Sequence, residues 1–174
     1  MRDKCILPFL ITERLEFFQL TQADLPELEI LLGDTEIMYA WEHGFTKIES
    51  QAWLNENLRR YSSDGYSYWA VRKKNDGSLI GVMGILKEVA EGKQYIGIGY
   101  ILNKKYWGQG YAGEGTEALC QYAFHKLQLQ TLTAQVRTNN FASQHIAEGL
   151  GMKAMCNFVK IYRGQEMPHF LYTL

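Results

Sequence analysis

The stretch that decides the fold is Lys105-Tyr106-Trp107-Gly108-Gln109-Gly110-Tyr111-Ala112, which lies between a strand-like and a helix-like segment. Two glycines one residue apart let the backbone turn tightly, because glycine has no Cβ to clash. The amides that follow stand at the start of a helix, where unpaired N–H donors and the helix dipole favour an anion. The stretch therefore predicts an anion-binding turn, with diphosphate as the natural ligand and the chemistry of the protein beside it.

Glycines also alternate in the strand before this turn, and polar residues open the next helix after it. Gly97 and Gly99 weaken their strand, and glycine inside a strand often marks a bulge or a ligand close to the backbone. Farther on, residues 139–143 supply amide and hydroxyl groups at a second helix start. The turn matches neither the dinucleotide fingerprint nor a P-loop, and taken alone it also fits a strand-to-helix turn that binds nothing.

The other elements follow in the order β-α-α-β-β-β-α-β-α-β-β. Alternation and β-rich composition predict strands at residues 11–20, 66–73, 79–86, 95–102, 131–136, 154–162 and 169–174. Capping boxes at Thr21 and Thr46 start two helices, and the glycine turn and Asn140 start two more. We therefore predict an α+β (mixed α/β) fold, with a twisted, mostly antiparallel sheet of six to seven strands and about four flanking helices.

Composition and charge set broad limits on the class of protein. The 174 residues contain no repeat, low-complexity segment or linker, which predicts one domain over residues 1–174. The net charge of −1 gives no argument for a nucleic-acid or membrane partner. Cys5, Cys120 and Cys156 are far apart and predict free thiols rather than disulfides or a metal site. Because no apolar run suits a signal peptide or a membrane span, we expect a cytoplasmic protein.

Four blocks of sequence carry a family resemblance. They are Gly97-Ile98-Gly99-Tyr100-Ile101-Leu102, residues 106–112 with Glu114, Asn140-x-Ala142-Ser143, and Gly149-Leu150-Gly151-Met152. In this order they resemble the GNAT superfamily of acyl-CoA-dependent N-acetyltransferases, most of all the branch that acetylates the N-termini of ribosomal proteins. Residues 12–15 also resemble the opening strand of that branch. The resemblance implies a GNAT-like sheet with a central splay, acetyl-CoA as co-substrate, and no metal.

The resemblance also implies which residues bind acetyl-CoA. The amides of residues 108–112 would cradle the pyrophosphate. Backbone groups at the end of the preceding strand, freed by the splay, would pair with the amides of the pantetheine arm. Asn140 would hydrogen-bond the same arm, and Ser143 would lie near the thioester sulfur. The implied cofactor-binding set is Tyr100, Ile101, Leu102, Trp107, Gly108, Gln109, Gly110, Tyr111, Ala112, Asn140 and Ser143.

Two catalytic side chains that are common in the family are missing. The strand glutamate aligns with Gly97 and the tyrosine general acid aligns with Ala147, while Lys105 stands where the family usually has Arg or Gln. The attacking amine must lose a proton, and the departing thiolate takes one up or leaves as the anion. Ser143 is the candidate catalytic residue that protonates the thiolate. An equal alternative is a helix-start serine that bonds only local backbone.

Aromatic residues are assigned to the acceptor side of the site. Trp41, Tyr66 and Tyr68 are expected to line it, because the loop between the first helices and the first strand of the meander flank that groove in the family. Packing on a helix is the alternative for the two tyrosines, and Trp69, of opposite strand parity, is expected in the core. Candidates for deprotonating the amine are Glu42, His43 and His169. A solvated surface position is the commoner environment for such residues.

Three functions fit these observations, in the following order. The first is direct attack of a primary amine on acetyl-CoA in a ternary complex, with a protein N-terminus or a small-molecule amine as acceptor. The near-neutral charge does not favour a polycationic acceptor. The second is a non-catalytic acyl-CoA-binding module, which the residues Gly97 and Ala147 motivate. The third is a mixed α/β domain whose turn binds another phosphate ligand. Both a monomer and a homodimer are compatible with the sequence.

Overall fold

A computed structural model of the chain describes residues 7–174. The strands are β1 (Leu10–Ile11), β2 (Leu15–Gln19), β3 (Tyr68–Lys73), β4 (Leu79–Ala90), β5 (Lys93–Leu102), β6 (Thr133–Arg137), β7 (Lys153–Tyr162) and β8 (Gln165–Thr173). The α-helices are α1 (Leu25–Gly33), α2 (Lys47–Ser63), α3 (Tyr111–His125) and α4 (Phe141–Gly149). Within the described residues the strands form one sheet in the order β1-β2-β3-β4-β5-β6-β8-β7. All neighbouring strands are antiparallel except β5 and β6.

The predicted fold class is confirmed, with one strand more than the upper number predicted. The difference lies in residues 11–20, which were expected to form one strand and instead belong to β1, a tight turn and β2. Thr12 N donates to Leu15 O at 2.9 Å, and Leu15 N donates back to Thr12 Oγ1 at 3.0 Å. Of residues 12–15, expected in an opening strand, the first three therefore form the turn, and Leu15 begins β2. Residues 12–14 are three polar residues in a row between the apolar Ile11 and Leu15, and this break in the alternation is the one local signal of the turn.

The helices begin where their capping residues predict. The capping box of Thr21 and Asp24 opens a short 3₁₀ segment that leads into α1, and the box of Thr46 and Glu49 opens α2. Asn140 caps α4 with its side chain, which accepts a hydrogen bond from Ser143 N. None of the described helices is both long and apolar enough to cross a membrane.

Two apolar cores cover the two faces of the sheet. Leu28 of α1 and Leu54 of α2 belong to the core on one face, and Leu119 of α3 belongs to the core on the other. Tyr68 and Trp69, which are consecutive in β3, lie in opposite cores, as the alternation of a strand requires. The placement of Trp69 in a core therefore follows the prediction.

The cysteines of the described chain are free. Cys120 of α3 is buried and Cys156 of β7 is exposed. Burial raises the pKa of the Cys120 thiol to about 11, which leaves it protonated at neutral pH. The predicted free thiol at Cys5 lies outside the described residues.

The sheet splays between β5 and β6. Within the described residues these two strands share one paired position, Gly97 with Thr133, whereas β5 stays paired with β4 as far as Leu102. Beyond Gly97 the two strands separate. This gap is the central splay that was predicted, and it divides the sheet into a half with five strands and a half with three.

The splay leaves one edge of β5 open. The carbonyl of Ile96 accepts a hydrogen bond from Thr133 Oγ1 at 3.2 Å, and the carbonyl of Leu102 accepts one from Trp107 Nε1 at 2.9 Å. Both carbonyls therefore point towards the gap. Because the backbone groups of a strand alternate in direction with a period of two, the N–H and C=O of Tyr100 point to the same open edge.

Candidate functional site

A cavity of about 490 Å³, named here the cleft, occupies the gap beyond the last pairing of β5 with β6. The glycine turn, the end of β5 and the start of α4 form its walls. The predicted site residues that line the cleft are Trp41, Tyr100, Ile101, Leu102, Trp107, Gly108, Gly110, Tyr111, Ala112, Asn140 and Ser143. Gln109 does not line it. Its side chain donates to the carbonyl of Lys105 at 2.8 Å.

The glycine turn presents the start of α3 to the cleft. Gly108 and Gly110 have φ angles of +70° and +82°, a left-handed conformation that glycine adopts without steric cost. Since Gly110 is the residue at the N-terminal cap, the first amides of α3 follow it directly and have no partner within the helix. The turn can therefore offer N–H donors and the positive end of the helix dipole to an anion in the cleft.

Arg14 holds this turn from the outside. Its guanidinium donates to the carbonyl of Gln109 at 3.0 Å and to Glu114 Oε2 at 2.6 Å, and it lies 4.3 Å from the ring centroid of Tyr111. The turn between β1 and β2 thus braces the start of α3 with a cation. The sequence interpretation missed this brace, because the contact joins residues about a hundred positions apart.

Asn140 links the start of α4 to the opposite wall of the cleft. Its Oδ1 accepts a hydrogen bond from Ser143 N at 3.1 Å and another from the hydroxyl of Tyr39 at 2.6 Å. Tyr39 in turn packs edge-on against Trp107, with 6.3 Å between ring centroids. With both bonds made to Oδ1, the amide Nδ2 of Asn140 is the group left to meet a ligand.

Ser143 carries a hydroxyl partner that sequence reasoning did not identify. Its Oγ lies 3.0 Å from the phenol oxygen of Tyr100. Tyr100 was expected to contribute only backbone groups. Burial raises the pKa of Tyr100, and the hydrogen bond with Ser143 opposes this shift. The site therefore holds a protonated phenol beside Ser143, although position 147 is alanine.

A second cavity, named here the chamber, has a volume of about 210 Å³ and adjoins the cleft. The residues shared by the two cavities are Ala40, Trp41, Tyr100, Asn140, Ser143 and Ile146. The polar and aromatic side chains found only in the chamber include Tyr68, Glu88, Arg137, Lys160, Tyr162 and His169. Because Ser143 and Tyr100 line both cavities, they mark the junction between them.

The structure brings two of the three predicted acceptor-side residues to the chamber. Trp41 and Tyr68 line it, whereas Tyr66 lines neither cavity and packs in the core on the α3 side. Tyr66 precedes the start of β3, so the strand alternation that would put it on the same face as Tyr68 does not apply to it. Tyr66 is therefore no part of the site that we propose below.

The three candidate bases occupy different environments. Glu42 pairs with Arg137 Nη2 at 2.9 Å, and His43 lines neither cavity. His169 is buried in the chamber, and its Nδ1 lies 2.7 Å from the carbonyl of Met167. A carbonyl only accepts, so Nδ1 carries the proton. Burial lowers the pKa of His169, which favours the neutral ring.

Comparison with known proteins decides the family. The family model described as Acetyltransferase (GNAT) domain matches residues 14–153. The chain belongs to the GNAT acetyltransferase family. A curated relative, the uncharacterized protein YkkB of Bacillus subtilis, is 30% identical over 164 residues and is matched over 94% of this chain and 93% of its own length.

Solved structures share the fold of this acetyltransferase. A GNAT-family acetyltransferase from Bacillus anthracis has a TM-score of 0.81 at 23% identity, with 95% of this chain and 96% of that chain covered. RimL, a ribosomal L7/L12 α-N-protein acetyltransferase in complex with coenzyme A, has a TM-score of 0.77 at 17% identity, with 94% of this chain and 95% of that chain covered. The resemblance found in the sequence is thus confirmed, and acetyl-CoA is the acyl donor of this family.

Glu88 is a residue of this GNAT acetyltransferase that sequence reasoning missed. It lies on β4, beyond the predicted end of that strand, and its carboxylate lines the chamber. The Oε2 atom is buried and has no hydrogen-bond partner among the described residues. Burial raises the pKa of the Glu88 carboxyl. Continuing the predicted hairpin back from residues 91–92 would have paired residue 88 with residue 95 and drawn attention to it.

The alternating glycines of β5 make room for side chains of neighbouring strands. A Cβ added at Gly97 would overlap Glu88 Oε2, and one added at Gly99 would lie 2.7 Å from the hydroxyl of Tyr68. The register between β4 and β5 is unbroken here, so the glycines mark no bulge. They let Glu88 and Tyr68 reach the chamber across the surface of β5.

Proposed function

We propose that this acetyltransferase transfers the acetyl group of acetyl-CoA directly to a primary amine in a ternary complex. The observation that carries the proposal is the junction of the cleft and the chamber at Ser143 and Tyr100. A cofactor in the cleft would present its thioester at this junction, while the amine occupies the chamber. Because the two cavities are separate but connected, both reactants can be bound at once and the amine can attack the thioester without a covalent enzyme intermediate.

The cleft supplies three kinds of contact to acetyl-CoA. The amides after Gly110 suit the diphosphate. The open backbone groups of Tyr100 suit the amides of the pantetheine arm, which would lie along β5 like an added strand. Asn140 lines the cleft, and its Nδ2 would bond the same arm.

The hydroxyl pair at the junction suits the departing thiolate. The phenol of Tyr100 stays protonated because burial raises its pKa, and it shares a hydrogen bond with Ser143. Either hydroxyl can pass a proton to sulfur while the other replaces it. We assign the predicted role of Ser143 to this pair.

The acceptor that we propose is a protein N-terminus or a small-molecule amine. The chamber contains the carboxylate of Glu88 together with the cations of Arg137 and Lys160, so a polycation has little to bind there. RimL acts on a protein N-terminus, which supports keeping that acceptor class. A cytoplasmic location, the lack of nucleic-acid and membrane partners, and the choice between monomer and homodimer stay predictions.

Initial velocities test the proposal. The release of CoA thiol is measured while acetyl-CoA and an amine are varied together, over a panel of peptides with free N-termini, amino acids, polyamines and aminoglycosides. We expect double-reciprocal lines that intersect, and parallel lines would contradict the ternary complex. CoA binding without turnover on any amine would favour the acyl-CoA-binding module instead.

A further inference from the structure

We propose that Glu88 is the base that takes the proton from the acceptor ammonium, so that β4 carries a role that the resemblance had assigned to position 97 of β5. The proposal rests on the acetyl transfer proposed above. It names a catalytic residue for that reaction and a chemical requirement for the acceptor: the amine must reach the part of the chamber next to Gly97.

The geometry places the Glu88 carboxylate in the volume that a side chain at position 97 would fill. Leu86 is the partner of Gly97 in the antiparallel register, and Glu88 is two residues farther along the same face of β4. Its side chain leans over Gly97, since a Cβ there would overlap Oε2. A glutamate at position 88 of β4 can therefore put its carboxylate where a glutamate at position 97 of β5 would put it.

The bonding state of Glu88 points to a ligand. Its Oε2 is buried without a hydrogen-bond partner among the described residues, which is costly for a carboxylate. An ammonium group in the chamber would supply the missing donor and charge. Burial also raises the pKa of this carboxyl, as suits a group that must accept a proton near neutral pH.

Charged and titratable groups from several elements face Glu88. Lys160 of β7 and Arg60 of α2 oppose the rise of its pKa. The charge of Glu88 in turn adds to the rise in the pKa of Tyr68 of β3, which is due mainly to burial. Arg137 of β6 and His169 of β8 line the same chamber. Any pH profile of the enzyme must therefore be compared across variants rather than assigned from the parent alone.

His169 is the competing base. Its Nδ1 carries a proton bound to the Met167 carbonyl, so Nε2 is available as an acceptor. We favour Glu88 because a carboxylate attracts the ammonium with a full negative charge before it accepts the proton, whereas a neutral imidazole offers only a lone pair. Position also favours Glu88, since its carboxylate lies over β5, the strand whose open edge faces the cofactor.

The acceptor ammonium loses two protons in the reaction. Glu88 takes one proton from the ammonium, and the freed lone pair of nitrogen forms the C–N bond at the thioester carbonyl. The C–S bond breaks with its electron pair on sulfur, and the thiolate takes a proton from the Tyr100–Ser143 pair. The second proton lost by the amine nitrogen returns to the Tyr100–Ser143 pair and replaces the proton that the pair gave to sulfur. Glu88 then releases its proton to water. The products are the acetamide and CoA thiol.

The first test is Glu88→Gln, with Glu91→Gln as the matched control. Glu91 is exposed in the turn between β4 and β5 and lines neither cavity. We expect Glu88→Gln to lower kcat by about a hundredfold or more, with unchanged acetyl-CoA affinity, and the control to match the parent. The acidic limb of the pH–rate profile should be lost in Glu88→Gln and kept in Glu91→Gln. A kcat within about twofold of the parent would overturn the proposal, as would the loss of that limb in His169→Gln but not in Glu88→Gln.

The second test moves the carboxylate back to β5. Glu88→Ala vacates the volume over position 97, so Gly97→Glu can be added to it, with the carbonyl of Thr133 as the next neighbour, 3.4 Å from the new Cβ. We expect the double variant to recover at least tenfold over Glu88→Ala. No recovery, with acetyl-CoA binding intact, would overturn the placement of the base. If the parent itself transfers no acetyl group, the proposed function fails, whereas an active parent with an equally active Glu88→Gln variant refutes the base alone.

Discussion

The hydroxyls of Ser143 and Tyr100 lie at the junction of the two cavities and share a hydrogen bond of 3.0 Å. A pair of hydroxyls joined by a hydrogen bond acts as a unit, so its two members should not contribute independently to the rate. Ser143 alone would be a weak acid. The buried phenol beside it gives the serine a route to a second proton.

We therefore expect Ser143→Ala and Tyr100→Phe each to lower kcat by about a hundredfold, the lower end of general acid catalysis. The double variant should be little worse than either single variant, and acetyl-CoA affinity should hardly change. Steady-state kinetics on purified variants measures these effects, with Tyr95→Phe on the same strand as control. Equal turnover within about twofold would show that the thiolate leaves unassisted, and a loss of affinity in Ser143→Ala would make Ser143 a cofactor contact.

Glu88 also links catalysis to stability through pH. Its folded pKa is raised above the ordinary value of 4.5, so the native state binds its proton more tightly than the unfolded chain does. The contribution of the protonated carboxyl to the free energy of unfolding is fully present below the ordinary pKa and is lost as the pH rises through the folded pKa. Glutamine stays neutral throughout and avoids the loss.

We expect Glu88→Gln to raise the free energy of unfolding at pH 8 and to have little effect at pH 4, where Glu88 in the parent is largely protonated. Urea unfolding of both proteins at the two pH values measures the difference. A variant less stable than the parent at pH 8 would mean that the ionised carboxylate has a favourable partner in the folded protein.

Side chains whose role depends on local sequence could be predicted, and those placed by sheet register could not. Asn140 and Ser143 stand in a short motif at a helix start, so their location followed from the sequence. Glu88 of β4 reaches the chamber because Gly97, its diagonal neighbour on the adjacent strand β5, has no side chain to block it. The two residues are nine positions apart along the chain. A residue-by-residue match to the family therefore showed a missing base, while the fold supplies a carboxylate from the next strand.

Among the elements, the glycine turn and α3 form the unit that should bind the diphosphate. Gly110 has a φ of +82°, and a Cβ added there would lie 3.4 Å from Arg14 Nη2. Asparagine tolerates this left-handed conformation better than most residues, and aspartate has nearly the same shape with an added negative charge. The two substitutions thus separate backbone strain from charge.

We expect Gly110→Asn and Gly110→Asp to lose a similar free energy of unfolding, about 1 kcal/mol. Gly110→Asp should bind CoA at least tenfold more weakly than Gly110→Asn, because its carboxylate repels the diphosphate. Calorimetric titration with CoA measures this difference, and pantetheine, which has no diphosphate, should not distinguish the two variants. Equal CoA affinities would place the diphosphate away from this turn.

Elements that begin with a local cap were predictable, and elements defined by distant contacts were not. The starts of α2 and α4 depend on Thr46 and Asn140, which act within three residues. The turn between β1 and β2 depends in addition on Glu114 of α3, which accepts hydrogen bonds from Thr12 Oγ1 and Arg14 N. A contact across a hundred residues leaves no periodic signal, and the sequence predicts one strand where the structure has two short ones.

For the whole molecule, the cleft implies that the cofactor contributes to stability. A ligand that binds only the folded state at a hundred times its dissociation constant adds about 2.7 kcal/mol. For a domain of this size we expect acetyl-CoA to raise Tm by roughly 5–10 °C. Thermal unfolding with acetyl-CoA, CoA and ATP measures the shift. No shift with millimolar acetyl-CoA would contradict the assignment of the cleft, and a shift with ATP alone would favour another phosphate ligand.

The open edge of β5 has a consequence during synthesis on the ribosome. The first five strands of the sheet are complete once Leu102 has emerged, and at roughly 5–20 residues per second the three strands of the other half follow over several seconds. In that interval the edge that later faces the cofactor is a bare strand edge, which can pair with another nascent chain. The open edge at which we propose that acetyl-CoA binds is thus an aggregation hazard of the nascent protein, and we expect chaperones to engage the chain most strongly between the emergence of β5 and that of β6.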